Sequence, residues 1–249
     1  MLMLIDANLQ KRGYLKIIII SANKMLSKDS LQFLEDLKNN NNRDWFLDNK
    51  KKYEVFKKDY HQLVAAFLDA MKPLDPSLEM LEVKNCTFRI NRDIRFSKDK
   101  SPYKSHLGIW LSSGTKGQSR AGYYVHIEKG GSFIAGGFYA PEAEDLKKVR
   151  KEIAYFYEDL EDILNAKSFK KEFVDFDRNE KSTLKNAPRD YEKDHPAIEL
   201  LKLKSFETSQ KFEISEVGQK DFVLKISKKL ILLKPLNEFI NRALTSEEF

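Results

Sequence analysis

The chain has 249 residues, of which 41% are hydrophobic and 33% charged, a composition typical of a globular protein with a buried core. Its 44 basic and 38 acidic residues give a net charge of +6, which permits nucleic-acid or phosphate partners without requiring them. The single cysteine excludes a disulfide framework, and no apolar run approaches the roughly 20 residues of a membrane span. We therefore expect a cytoplasmic protein with no membrane contact.

The N-terminal residues 1–24 are predicted to be an extension that is either a translated upstream segment or a loosely attached leader. Met25 would serve as a start, and no periodic apolar face in the extension requires burial. No later segment has the composition of a linker, so we expect residues 25–249 to form a single domain.

Helical periodicity dominates the first part of this domain. Ser30 is predicted to cap a short helix, and Asn42 is predicted to cap a long helix over Arg43–Lys72. Apolar residues recur along the long helix at steps of three and four until Pro73 ends it. A stripe of this width is typical of a helix that packs on a sheet.

From Cys86 to Phe96 the period changes to two, which predicts a strand with apolar and polar residues on opposite faces. Arg92 falls on the apolar side. Either a bulge turns it outward or it is buried with a paired carboxylate, because an unpaired buried charge is costly. Further strands are predicted over His106–Leu111, Tyr123–Glu128 and Ser132–Tyr139, with a hairpin turn at Gly130 and Gly131.

The last part of the chain alternates helices with one more strand. A helix is predicted from Pro141 to Ile163, a short one near Phe169, and another that Asp194 caps. A strand over Phe206–Phe212 and closing helices interrupted at Pro235 complete the chain. Runs of strands between runs of helices favour an α+β fold with a central antiparallel sheet flanked by helices.

A basic cluster lies between Lys84 and His106. This segment has seven Lys and Arg against two Asp, so it accounts for +5 of the total charge of +6. Arginine and lysine bind phosphate and carboxylate through charge-assisted hydrogen bonds, so we predict a small anionic ligand and name Arg189 from a later segment as a further candidate. The candidate anion-binding residues are Arg89, Arg92, Arg95, Lys98, Lys100, Lys104 and Arg189.

The candidate catalytic residues are His126, Glu128 and His106. His126 and Glu128 are two apart on a predicted strand and point the same way, whereas His106 joins them only if the strand register allows it. Histidine titrates near neutral pH and suits a general acid or base. Two histidines and one carboxylate are also the donor set of some metal sites, but the four histidines show no short metal-binding spacing, so neither a metal nor a cofactor is predicted. Arg89, Arg95 and His126 are predicted to converge in one cleft, with the three lysines of the basic cluster's loop at its rim.

The remaining reactive side chains have simpler predicted roles. Cys86 is expected to be a buried small hydrophobe and His61 a surface residue. His195 either reaches the pocket or packs at a helix start.

Four sequence blocks in order resemble the domain of unknown function 2461 family, conserved hypothetical proteins found mainly in bacteria. The resemblance covers residues 26–244 and implies no activity, because none is established for the family. The blocks are NNNNRDWF at 39–46, FRINRDIRFSKDKSPYKSHLG at 88–108, GYYVHIEKGGSFIAGGFYAP at 122–141 and APRDYEKDHPAIELLKLKSF at 187–206.

Three functions remain open at this point. The chain is an enzyme acting on a small phosphorylated or carboxylated substrate, a nucleic-acid-binding protein that uses the basic loop, or a non-catalytic ligand-binding or scaffold protein. Enclosure of the basic cluster in a cleft would favour the first function. A flat, exposed basic surface with accessible aromatic rings would favour the second.

Overall fold

The computed structural model describes residues 26–114, 118–178, 180 and 182–246. The predicted extension over residues 1–24 lies outside the described residues. Among the residues that are described, no helix is both long and apolar enough to cross a membrane.

The N-terminal helices are α1 (Lys28–Asn39), α2 (Arg43–Asp48) and α3 (Lys50–Met71). Ser27 rather than Ser30 caps α1, since the Ser27 side chain accepts a hydrogen bond from the Ser30 amide. Asn42 caps α2 as predicted. The predicted continuous helix over residues 43–72 is wrong in one respect, because it is interrupted at Asn49.

Aromatic side chains pack α1 against α3. The Phe33 ring centroid lies 5.4 Å from that of Phe56 and 6.0 Å from that of Trp45. Phe33, Leu63 and Phe67 are fully or almost fully buried. Burying each such side chain stabilises the fold by about 1.5–3 kcal/mol, so this face holds the N-terminal helices together.

The strand predicted from Cys86 to Phe96 is wrong. A short helix, α4 (Val83–Cys86), ends there, and the chain then forms a loop that pairs with itself through an isolated bridge between Asn91 and Tyr103. The Arg92 amide donates to the Pro102 carbonyl at 2.9 Å. Thr87 bridges to the sheet at Ile109, and beyond it the segment turns back on itself, which leaves the Phe96 side chain 95% exposed.

The sheet has four antiparallel strands in the order β1-β2-β3-β4, and the α+β prediction is confirmed. Gly137 in β3 takes φ +108°, and an added Cβ there would lie 2.0 Å from the Phe206 carbonyl oxygen. Gly130 takes φ +76° in the predicted hairpin turn. The strands are β1 (Leu107–Leu111), β2 (Gly122–Ile127), β3 (Phe133–Phe138) and β4 (Phe206–Lys211).

The C-terminal helices differ from prediction at two boundaries. The helix predicted to reach Ile163 breaks at Phe156, and the helix that Asp194 is predicted to cap begins at Ile198 with Ala197 as its N-cap. The bounds are α5 (Ala143–Tyr155), α6 (Tyr157–Asn165), α7 (Lys167–Glu172), α8 (Ile198–Leu201), α9 (Phe222–Leu230) and α10 (Lys234–Thr245). Short 3-10 helices cover Pro76–Leu78, Ile214–Gly218 and Ile231–Leu233.

The backbone groups into two compact units, each made of several chain segments. The first contains the described residues up to Trp110 together with Val125–Phe133 and Lys211–Lys228. The second contains Leu111–Tyr124, Ile134–Gln210 and the described residues from Lys229 onward. In the second unit α10 packs on α5, and Arg242 of α10 pairs with the buried Glu152. The single-domain expectation stays a prediction.

Candidate metal centre

His106, His126 and Glu128 come together in the first unit. His106 directly precedes β1, His126 lies in β2, and Glu128 follows the end of β2. Because β1 and β2 are neighbouring strands, the three side chains reach one point, with one nitrogen or oxygen atom of each within 4.8 Å of the others. The strand register that the sequence left open therefore includes His106 in the cluster.

The His126 ring is fixed on both sides. Its centroid lies 4.5 Å from the His106 ring and 4.8 Å from the Phe133 ring, and the Phe133 contact is nearly parallel at 15°. The His126 Nε2 atom lies 3.4 Å from Glu128 Oε2. The imidazole is thus held by stacking and aimed at the carboxylate.

Lys38 of α1 holds the other oxygen of the carboxylate, with 3.2 Å between Lys38 Nζ and Glu128 Oε1. Beside Glu128 lies an open groove of about 270 Å³ within the first unit. Its wall includes the ion pair between Lys129 and Glu35, 3.3 Å apart, and apolar residues such as Leu31. A small molecule in this groove would therefore lie next to Glu128.

Burial and neighbouring groups set the charge of the three side chains at neutral pH. Burial and, to a smaller extent, the nearby His126 together lower the pKa of His106 to about 4. Burial also lowers the pKa of His126, although Glu128 partly opposes this. For Glu128, burial alone would raise the pKa, but hydrogen bonds from His126 and Lys38 outweigh it and lower the pKa. The cluster therefore combines two neutral imidazoles with one carboxylate.

The predicted anion-binding arginines are engaged within their own loop. Arg92 is half-buried and pairs with Asp99, and it also donates to the Ser101 carbonyl at 3.1 Å. The paired carboxylate of the second alternative drawn from the sequence is therefore present, whereas the full burial is not. Arg95 pairs with Asp93 at 2.7 Å and its side chain is 76% exposed.

The other predicted anion-binding residues are mostly exposed. Arg89, Lys98 and Lys100 are exposed, while Lys104 is half-buried with its Nζ 5.2 Å from the Phe88 ring centroid. Arg189 is exposed in the second unit. Convergence of Arg89, Arg95 and His126 in one cleft stays a prediction.

The remaining predicted residues take structural positions. Cys86 is fully buried, which confirms the prediction that it is a buried small hydrophobe. This burial raises the pKa of its thiol to about 11. His61 is exposed, as predicted. His195 is half-buried, and its Nδ1 atom accepts a hydrogen bond from the Ala197 amide at the start of α8.

Two contributors to the cluster were missed by sequence reasoning. Lys38 comes from α1, 90 residues before its partner Glu128, and nothing in its neighbourhood distinguishes it from other surface lysines. Phe133 lies on the strand after the hairpin, and alternation along that strand could have placed it on the His126 side.

Fold and cluster together define an α+β protein with a candidate centre of two histidines and one carboxylate. The chain belongs to the family described as conserved hypothetical protein (DUF2461), whose model matches residues 29–239. The match confirms the resemblance seen in the sequence, and membership by itself implies no activity. No curated protein and no solved structure matches the chain.

Proposed function

We propose that the protein is a metal-dependent enzyme that binds one divalent transition-metal ion through His106, His126 and Glu128. The observation that carries the proposal is the convergence of the three donor atoms within 4.8 Å of one another. Two histidines and one carboxylate form the donor set of mononuclear zinc hydrolases and of non-haem iron(II) enzymes.

The spacing suits such an ion after side-chain adjustment. Histidine nitrogen and carboxylate oxygen bind zinc at about 2.0–2.2 Å, so two ligands of one tetrahedral ion are about 3.4 Å apart. Atoms within 4.8 Å would need to close by up to about 1.4 Å, which rotation of the side chains would supply. The neutral imidazoles and the ionised carboxylate also have the protonation states that metal binding requires.

The three protein ligands leave coordination positions for water or substrate, as in catalytic rather than structural sites. A bound metal would lower the pKa of coordinated water to about 7 and so supply hydroxide at neutral pH. Lys38 would hold Glu128 Oε1 and leave Oε2 directed at the histidines. The groove beside Glu128 offers the approach for a small substrate.

A metal-free enzyme is the second candidate, in which His126 acts as a general acid or base on an anionic substrate. The contact between His126 and Glu128 at 3.4 Å favours it, because a carboxylate orients a catalytic imidazole in this way. The arginines predicted to hold the anion give this second candidate little support, since Arg92 and Arg95 already pair with aspartates.

Titration with cobalt(II), followed by its visible absorption, and with zinc(II), followed by calorimetry, tests the metal proposal. We expect one ion per chain, and we expect His126→Ala to weaken binding by more than 100-fold. The reason is that losing a ligand should exceed the about 10- to 100-fold cost of losing a residue that merely orients one. His61→Ala, which removes an exposed histidine from α3, should bind as the unchanged protein does.

Glu128→Gln keeps the size of the side chain and removes its charge, so it should weaken both metals without unfolding the protein. Absence of saturable binding by either metal would overturn the proposal and leave the metal-free candidate. Equal losses in the His126 and His61 variants would also overturn it, because binding would then be nonspecific.

A further inference from the structure

We infer that the loop between Phe88 and Lys104 is a binding surface for single-stranded nucleic acid, with bases stacking on exposed phenylalanines and phosphates contacting the surrounding cations. This inference concerns a different surface from the metal ligands. It stands whether or not the cluster binds a metal.

The backbone presents this loop outward. The bridge between Asn91 and Tyr103, with the Lys104 amide donating to the Ile90 carbonyl at 2.8 Å, closes its base. Arg92 pairs with Asp99 across it, and Lys100 Nζ donates to the Ile94 carbonyl at 3.0 Å. The tip is therefore held in shape by its own contacts.

Two aromatic rings are exposed on this loop. Phe96 is 95% and Phe88 47% exposed, although leaving a phenylalanine in water forgoes about 1.5–3 kcal/mol of burial. The Arg95 guanidinium carbon lies 5.7 Å from the Phe96 ring centroid, and Lys104 lies over Phe88. Each ring is thus paired with a cation.

The cations exceed the acids that could neutralise them. Asp93 and Asp99 are occupied by Arg95 and Arg92. Within the described part of the chain, no ion pair joins a carboxylate to the four remaining cations of the loop, which are Arg89, Lys98, Lys100 and Lys104. The loop therefore carries unneutralised positive charge next to flat apolar rings.

Single-stranded nucleic acid matches this combination. Proteins that bind single strands use a positive surface for the backbone and aromatic side chains on which bases stack, and arginine planes stack on bases as well. A duplex keeps its bases stacked on each other and offers no free faces to Phe96. An anionic membrane surface could contact the same cations and rings without base stacking. The experiment below therefore compares vesicles with the oligonucleotide.

The binding test uses a fluorescein-labelled oligothymidylate of about ten nucleotides, within the length that one small binding fold covers, and follows anisotropy. We expect Phe96→Ala to weaken binding about 5- to 150-fold, the range for losing one stacked base. The control is Tyr155→Ala, which removes another exposed ring, 73% accessible, from α5 and should change nothing.

Salt dependence tests the cations. Replacing Lys98 and Lys100 together by alanine should reduce the slope of log affinity against log salt by about 1.4, because each lost single-strand phosphate contact contributes about 0.7. Replacing Lys147 and Lys148, two exposed lysines of α5, removes the same charge and should leave the slope unchanged.

Four results would overturn the inference. They are no binding of the oligonucleotide, equal losses in the Phe96 and Tyr155 variants, tighter binding of the matching duplex than of the single strand, and binding only to vesicles of phosphatidylserine and phosphatidylcholine. Because Phe96 is exposed, its replacement leaves the fold intact, which circular dichroism of the variant checks.

Discussion

Glu207 in β4 is a half-buried carboxyl with an unusual pKa. Burial and, to a smaller extent, the negative charge of Asp177 together raise the pKa to about 7. Asp177 is itself fixed to this strand, because its amide donates to the Glu207 carbonyl and its carboxylate accepts from Ser209. Two partly buried carboxyl groups are therefore neighbours in the second unit.

This site should make stability fall as pH rises toward neutrality. The folded pKa lies above the ordinary value, so the folded state binds the proton more tightly, and the stabilising effect is complete below about pH 4.5 and lost through about pH 7. Glu207→Gln cannot ionise. Relative to the unchanged protein it should gain free energy of unfolding between pH 5 and pH 8, of the order of 1 kcal/mol after allowance for solvent screening.

Urea denaturation of both proteins at several pH values measures this difference. A constant gap between the two proteins from pH 5 to pH 8 would show that Glu207 titrates normally. Asp145→Asn, which changes a carboxylate in the first turn of α5, serves as the control for a general effect of removing one negative charge.

At the scale of elements, the close packing of β3 against β4 requires a residue without a side chain. Gly137 takes φ +108°, and its amide donates to Asn237 Oδ1 of α10 at 3.0 Å. At this position β4 passes so close that the Phe206 carbonyl occupies the space of a Cβ atom. The approach of β3, β4 and α10 therefore requires glycine.

Gly137→Ala should destabilise the protein by at least about 2 kcal/mol, because backbone strain at such a φ adds to a steric clash. Gly218→Ala is the matched control, since an added Cβ there meets no atom within 4 Å, and it should stay within about 0.5 kcal/mol. Chemical denaturation compares the two variants. Similar stability of both would mean that β3 and β4 can separate without cost.

Elements with a strong apolar period were the predictable part of the fold. The four strands of the sheet and the stripe of α3 follow from side-chain spacing, because a buried face enforces its period. The strand predicted after Cys86 is wrong because its period is not enforced by a buried face. Its apolar and charged residues alternate as in a strand, but the segment is a loop and Phe96 lies in water rather than on a sheet.

Helix boundaries were less predictable, because polar side chains compete with the backbone there. The Asn49 side-chain amide donates to the Trp45 carbonyl at 2.9 Å, which satisfies a helix end and separates α2 from α3. Sequence periodicity passes through this position unchanged. In the candidate centre, the strand period placed His126 with Glu128, but His106 required the strand register and Lys38 the packing of α1.

At the scale of the whole molecule, the chain passes repeatedly between the two compact units. In β2, Gly122–Tyr124 belong to the second unit and Val125–Ile127 to the first. β3 is divided in the same manner after Phe133. Neither unit is a continuous segment that could unfold and leave complete strands behind.

We therefore expect one cooperative unfolding transition. Trp45 and Trp110 are the two tryptophans, and both lie in the first unit, so their fluorescence reports on that unit alone. Far-ultraviolet ellipticity reports on helices of both units. The two signals should give the same midpoint in urea, as a two-state protein requires, whereas separated midpoints would contradict a single domain.

The burial of Cys86 makes its thiol a probe of how often the protein opens locally. It is the only thiol in the chain, it has no exposed surface, and its high pKa leaves almost no thiolate at neutral pH. A thiol reagent can therefore react only during moments when the end of α4 opens to solvent. The ratio of the labelling half-life of the native protein to that of a free thiol in the same buffer then measures how rarely that opening occurs, without any substitution in the chain.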